Sequence, residues 1–129
     1  PAAPAGTKTS YRGVGPAIIE HPLLGELTVM EGEEVEKVVQ RKLKTLAKAV
    51  RRQVEHYFSE RNWRTDEFIR ENTDAAGFVG IGVVAGFERL RALAKDVGFI
   101  TECIEGSDIV ELSSCRRMAR PRWLQEAAA

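Results

Sequence analysis

The sequence predicts an α+β domain, mostly α, and three observations carry that prediction. Apolar residues recur at spacings of three and four over one long stretch, and again over several short ones further on. Only the neighbourhoods of Phe78–Ile81 and Asp108–Leu112 read as strands. At 129 residues the chain is about one domain long and can bury roughly two-thirds of its unfolded surface.

The elements follow in order. Residues 1–32 hold four of the five prolines, many glycines and little periodicity, and are expected to form a linker or an extended arm. Within them Ala17–Leu24 is apolar enough to pack on the domain or to bind a partner. From Glu33 to Ser59, Val35, Val38, Val39, Leu43, Leu46, Val50, Val54 and Tyr57 fall on one helical face. Glu31, Glu33, Glu34 and Glu36 stand at its start, where the helix dipole favours negative charge. Between Arg41 and Arg52 lie six basic residues and no acid. Such a run is either a solvated face or a surface for phosphates. Asn62–Thr65 is expected to break the pattern, with a short second helix from Thr65 to Asn72. A turn follows at Thr73–Gly77, then a strand-like piece at Phe78–Ile81. Three short apolar clusters come next: Val83, Val84 and Phe87; Leu90 and Leu93; Val97, Ile100, Cys103 and Ile104. Gly106-Ser107 stops the last, Asp108–Leu112 alternates as a strand, and Cys115–Met118 is placed to pair back on it. Helix, helix, short strand, helices and hairpin is the order of a winged helix. The recognition-helix position falls near Phe87–Ala94. The expected domain is 33–118, with an Arg- and Trp-containing tail at 119–129.

Composition excludes several classes. Lys plus Arg and Asp plus Glu are 19 each, so only local charge can speak for a nucleic acid. The longest weakly polar run, Ala75–Phe87, is 13 residues and glycine-rich, too short to span a bilayer. The opening PAAPAGTKTS lacks the apolar core of a signal peptide and reads as a linker inside a longer protein. Cys103 and Cys115 make no disulfide framework, and a reducing compartment is the default.

No enzyme site emerges. His21 and His56 are the only histidines, no serine sits in a nucleophile elbow, and no cysteine lies near a histidine in sequence. The two cysteines are 12 apart, which matches no zinc spacing, and they are expected as buried apolar residues. Gly80-Ile-Gly82-Val-Val-Ala85 fits G-x-G-x-x-A, but no βαβ unit surrounds it. The expectation is no catalytic residue, no metal and no cofactor.

The informative stretch is Gln53–Phe68. It sets His56, Tyr57, Phe58, Trp63 and Phe68 beside the amide of Gln53 and the carboxylate of Asp66, at the junction of two helices. Gln53 shares a helical face with His56 and Tyr57. These aromatics either fill the core or line a site.

Q-V-E-H-Y-F-S-E-R-N (53–62), D-E-F-I-R (66–70), D-x-x-G-F-V (74–79) and F-E-R-L-R-A-L-A-K-D (87–96) together resemble the La motif of La and La-related proteins. The likeness runs from about Lys44 to Arg117. It implies a La-type winged helix with extra helices, whose function is to bind the 3′ ends of single-stranded RNA in an aromatic pocket beside the winged-helix core. On this resemblance the RNA-binding residues are Gln53, His56, Tyr57, Asp66, Phe68 and Phe87, with Phe58 a core aromatic. The chain departs from the family pattern at His56, where tyrosine is usual, at Gly80, at Ala94-Lys95, and at Arg61 and Trp63. Arg116–Arg122 with four arginines, followed by Trp123-Leu124, is similar to the La-related protein one class. That class implies poly(A) tails, mRNA stability or translation, and a cytoplasmic location. The alternatives are a nuclear La-type module for oligo(U) ends and a winged helix that binds DNA. A monomer is expected, off the membrane, and a protein-interaction role for the N-terminal arm at Ile18–Leu24 is a further alternative to its packing on the domain. Tyr57→Ala and Asp66→Ala are each expected to weaken RNA binding and spare the fold.

Overall fold

A computed structural model describes residues 15–124. The first 14 residues of the expected linker and the last five of the expected tail lie outside the described residues. Contacts divide the chain into two units at Leu46 and Ala47.

In the first unit, β1 (Ala17–His21) and β2 (Gly25–Val29) pair antiparallel, from Ala17 opposite Val29 to His21 opposite Gly25. The expected arm is therefore a hairpin over 17–29. A three-residue loop joins the strands, closed by Gly25 at φ 70°, a conformation glycine enters at no steric cost. The His21 ring nitrogen Nδ1 accepts from the Leu23 N–H at 3.1 Å. Along β2, Leu27 and Val29 are buried while Glu26 and Thr28 are exposed, the period-two signature of a half-buried strand. Ile18 and Met30 remain exposed. Helix α1 (Val35–Tyr57) begins in this unit and continues through the division.

The second unit holds the rest of α1, then α2 (Glu60–Thr65), α3 (Glu67–Glu71), β3 (Val79–Gly80), α4 (Ile81–Ala85), α5 (Glu88–Leu93), α6 (Val97–Ile104), β4 (Val110–Leu112) and β5 (Met118–Pro121). Its sheet runs β3-β5-β4, all antiparallel. Val54, Phe58, Ile81, Val84, Ile100, Ile104 and Ala119 close on one another and leave no room for water. This is the α+β winged helix expected from the sequence, with three differences in its detail.

The break expected at Asn62–Thr65 is helix α2. Ser59 stops α1 and caps α2, its hydroxyl accepting from the Asn62 N–H at 3.3 Å. Trp63 is buried there, 5.6 Å from the Phe58 ring and 6.3 Å from that of Trp123. Strand β4 begins at Val110, not Asp108, because the Ser107 hydroxyl takes the N–H groups of Ile109 and Val110 into a turn. The expected tail is not a tail at its start: Ala119, Arg120 and Pro121 belong to β5, the middle strand. Beyond it the Trp123 indole N–H donates to the Phe58 carbonyl at 2.7 Å, and the Arg122 Nε donates to that of Ser107 at 3.0 Å. The stretch expected to offer the recognition helix is the six-residue α5, and the helix leading into the wing is α6. Among the described residues no helix is long and apolar enough to cross a membrane.

Both cysteines were expected to be buried, and only Cys103 is. Burial, with Glu102 beside it and Arg51 opposing, pushes the Cys103 thiol up to about 11. Cys115 stands exposed in the wing turn, where a hydrogen bond with the Ser113 hydroxyl, then the backbone at Arg117, holds its thiol below the ordinary value. More thiolate at neutral pH and open access both favour Cys115. Native-state alkylation with iodoacetamide, read by peptide mass spectrometry, is expected to label Cys115 first and Cys103 only on unfolding. Equal rates would contradict this.

Candidate functional site

The end of α1 supplies three side chains to one place. Gln53, His56 and Tyr57 follow at i, i+3 and i+4, so the helix itself puts them on a common face. One residue further, Phe58 is fully buried, and the chain then turns into α2. Asp66 ends α2 and starts α3: its backbone N–H bonds the Asn62 carbonyl, and its Oδ1 accepts from the Ile69 N–H at 3.1 Å. Capping by Asp66 sets the direction of α3, which carries Ile69 into the core and leaves Phe68 56% exposed. Phe87 arrives from the junction between α4 and α5.

All six side chains that the resemblance named line a single open cavity of about 420 Å³. That is the range in which small ligands are held. The rings form a continuous wall. His56 lies 6.1 Å from Tyr57, Tyr57 meets Phe87 edge-on at 5.0 Å, and Phe87 meets Phe68 edge-on at 5.8 Å. Edge-to-face pairs hold ring orientation; with Phe68 so exposed, the wall offers a planar guest a face to stack on.

Two polar features complete the site. The Gln53 amide nitrogen is shut away from solvent and has no hydrogen-bond partner among the described residues. An unpaired buried donor costs about 1–3 kcal/mol, which a ligand acceptor reaching it would offset. Asp66 uses Oδ1 on the α3 cap, and its Oδ2 has no partner among the described residues, which leaves an acceptor-only edge for a ligand hydroxyl.

The cap gives Asp66→Ala a second effect beside the one on the pocket. Losing an N-cap carboxylate costs about 1 kcal/mol of stability, so that variant changes the fold's stability and the pocket together. Asn at the same position keeps the cap and loses the charge.

Glu88 and Arg89 line the cavity too, and sequence reasoning passed over them as pocket residues. Their signal was adjacency to Phe87, at the start of the helix expected in the recognition-helix position. The arginines in and next to β5 are less available. Arg120 pairs with Glu111 at 3.1 Å, stacks 4.4 Å over Phe78 and donates to the Ala76 carbonyl. Arg116 pairs with Glu105 at 2.9 Å. The arginine-rich run of the sequence therefore serves in part to fasten the wing. Among the described residues no three His, Cys, Asp or Glu side chains gather to hold a metal.

Comparison with known proteins follows the same stretch. The family model for the La domain matches residues 50–106. The chain is 35% identical over 71 residues to "La-related protein 1B" of Arabidopsis thaliana, covering 55% of this chain and 16% of that protein. It is also 35% identical over 60 residues to "La RNA-binding domain-containing protein LHP1" of Cryptococcus neoformans, covering 46% of this chain and 7% of that one. The chain thus spans less than a fifth of the length of these relatives. Among solved structures, the La autoantigen N-terminal domain superimposes with a TM-score of 0.57 at 32% identity, over 59% of this chain and 85% of that one.

Proposed function

The chain belongs to the La domain family, and from that premise we propose that it is a noncatalytic module that binds the 3′ end of single-stranded RNA in the Gln53–Tyr57–Phe68 pocket. The family is an RNA-binding one; the end, the base and the residues are the proposal. The observation that carries it is the pairing of an exposed aromatic wall with the Asp66 carboxylate and the Gln53 side chain in one cavity.

Each part has a task that its chemistry suits. Unpaired bases of a strand end stack on Tyr57, Phe68 or His56, at roughly 1–3 kcal/mol per base. The Asp66 Oδ2 accepts from the hydroxyls of the terminal ribose, and would repel a 3′ phosphate. DNA lacks the 2′ hydroxyl and gains less. Gln53 offers its amide N–H to a base or ribose acceptor. Glu88 adds a second acceptor-only group, which favours the exocyclic amino donor of adenine over the O4 acceptor of uracil. That supports oligo(A), and with it a role on mRNA tails, in stability or translation, in the cytoplasm.

The test compares fluorescence anisotropy at fixed salt for oligo(A) with a free 3′ hydroxyl, oligo(A) with a 3′ phosphate, and oligo(U). The expected order places the hydroxyl-ended oligo(A) tightest. Asp66→Asn is expected to weaken that complex by about tenfold, since hydrogen bonds to a charged group contribute about 1.5–3 kcal/mol, and to narrow the gap to the phosphate-ended strand. Equal binding of both ends by the wild type would refute end recognition, and tighter oligo(U) would move the module to the La-type reading.

A further inference from the structure

Two rows of charged side chains run along the second half of α1, each with members four residues apart, and the structure uses them differently. Arg51 and Glu55 form one row and are engaged inside the domain. Arg51 donates from Nε to the Cys103 carbonyl at 2.8 Å and from Nη2 to that of Glu105, while Glu55 accepts from the Ser107 hydroxyl at 2.6 Å. Lys48, Arg52 and His56 form the other. All three are exposed, and among the described residues none of their side chains has an ion pair or hydrogen bond. The acids nearest in sequence are occupied, Glu55 as above and Glu60 by Arg64 at 2.8 Å. The row ends at His56, which is itself a wall of the pocket.

We propose that Lys48 and Arg52 carry the phosphates of the nucleotides lying 5′ of the bound end, so that the strand leaves the pocket past His56 and runs back along α1. This rests on the end-binding reading above. Four helical residues rise about 6 Å, close to the separation of successive phosphates in an extended strand, so each turn of the ridge meets one phosphate. Such contacts position the strand and carry no sequence information. The basic run in the sequence is thus divided by helical geometry: Arg51 turns inward, and Lys48 and Arg52 face the strand.

The experiment measures affinity against salt for a 3′-hydroxyl oligo(A) long enough to extend beyond the pocket. It compares the wild type, a Lys48→Gln/Arg52→Gln variant and an Arg91→Gln/Lys95→Gln variant that removes equal charge elsewhere. Each phosphate contact on a single strand contributes about 0.7 to the slope of log K against log salt, so the ridge variant is expected to flatten it by about 1.4. The second variant is expected to leave the slope alone, and the ridge variant to bind the shortest pocket-filling oligo(A) as the wild type does. Equal flattening in both variants, or none in the first, overturns the ridge. Failure of the wild type to distinguish a 3′ hydroxyl from a 3′ phosphate overturns the pocket reading first, and that is read before any variant is made.

Discussion

Tyr57→Ala is expected to lower affinity for a 3′-hydroxyl oligo(A) by roughly tenfold to a hundredfold, the equivalent of one lost stacking platform. Tyr57 stands in the middle of the ring wall, in edge contact with Phe87 at 5.0 Å and beside His56. Its removal takes away a stacking surface and the support that fixes Phe87. The fold loses little, because the side chain is only half-buried and an edge contact contributes about 1 kcal/mol. Tyr57→Phe keeps the ring and is expected to keep most of the affinity. Anisotropy on the three proteins, with thermal melts alongside, checks both parts. Unchanged binding by Tyr57→Ala would remove this residue from the site.

Phe58→Ala, one position on, is expected to do the opposite. Phe58 is fully buried, packed 5.6 Å from Trp63 and against Val54, Ile81 and Ile104. Its carbonyl also accepts the Trp123 indole N–H. Truncating a buried phenylalanine costs about 3–5 kcal/mol, a large share of a domain's stability of about 5–15 kcal/mol. Urea unfolding is expected to show that loss as a lower midpoint at unchanged slope. A loss below about 1 kcal/mol would mean that the site collapses around the missing ring. Adjacent aromatics with opposite tasks follow from the helix: a step of one residue turns the side chain from the pocket to the core.

That contrast also shows where the sequence was legible. The long helix, the short strand before α4 and the first strand of the closing hairpin could be read from periodicity, since each buries one face; the returning strand was expected at Cys115–Met118, where the chain turns, three residues ahead of β5. The gathering of Gln53 with Tyr57 is local and followed from helical spacing. Bringing Phe68 and Phe87 to the same cavity depends on the Asp66 cap and on how α4 and α5 pack, which spacing does not encode. There the resemblance to the La motif named the residues. What escaped depends on distant contacts. Trp63 looked like a break because its partners, Phe58 and Trp123, lie on either side of it in sequence, the latter sixty residues away. Residues 17–29 looked like an arm because Pro22 and Gly25 interrupt the alternation, and the pairing of the two short strands appears only once the chain turns back between them. Arg120 read as part of an arginine-containing tail, and its engagement with Phe78 and Glu111 appears only when β5 is in place.

The position of β5 has a consequence for how the protein is made. It is the last of the described strands in the chain and the middle one in the sheet: Val79 awaits Ala119, and Leu112 awaits the same residue from the other side. A chain emerging from the ribosome therefore carries two short strands with open edges until Met118–Pro121 follows them out. Helices held by local contacts can form during that interval, whereas the sheet closes only in a late, long-range step. Exposed edges are where chains pair wrongly. Here both are very short, only two and three residues, which keeps the waiting intermediate a poor template for another copy of itself.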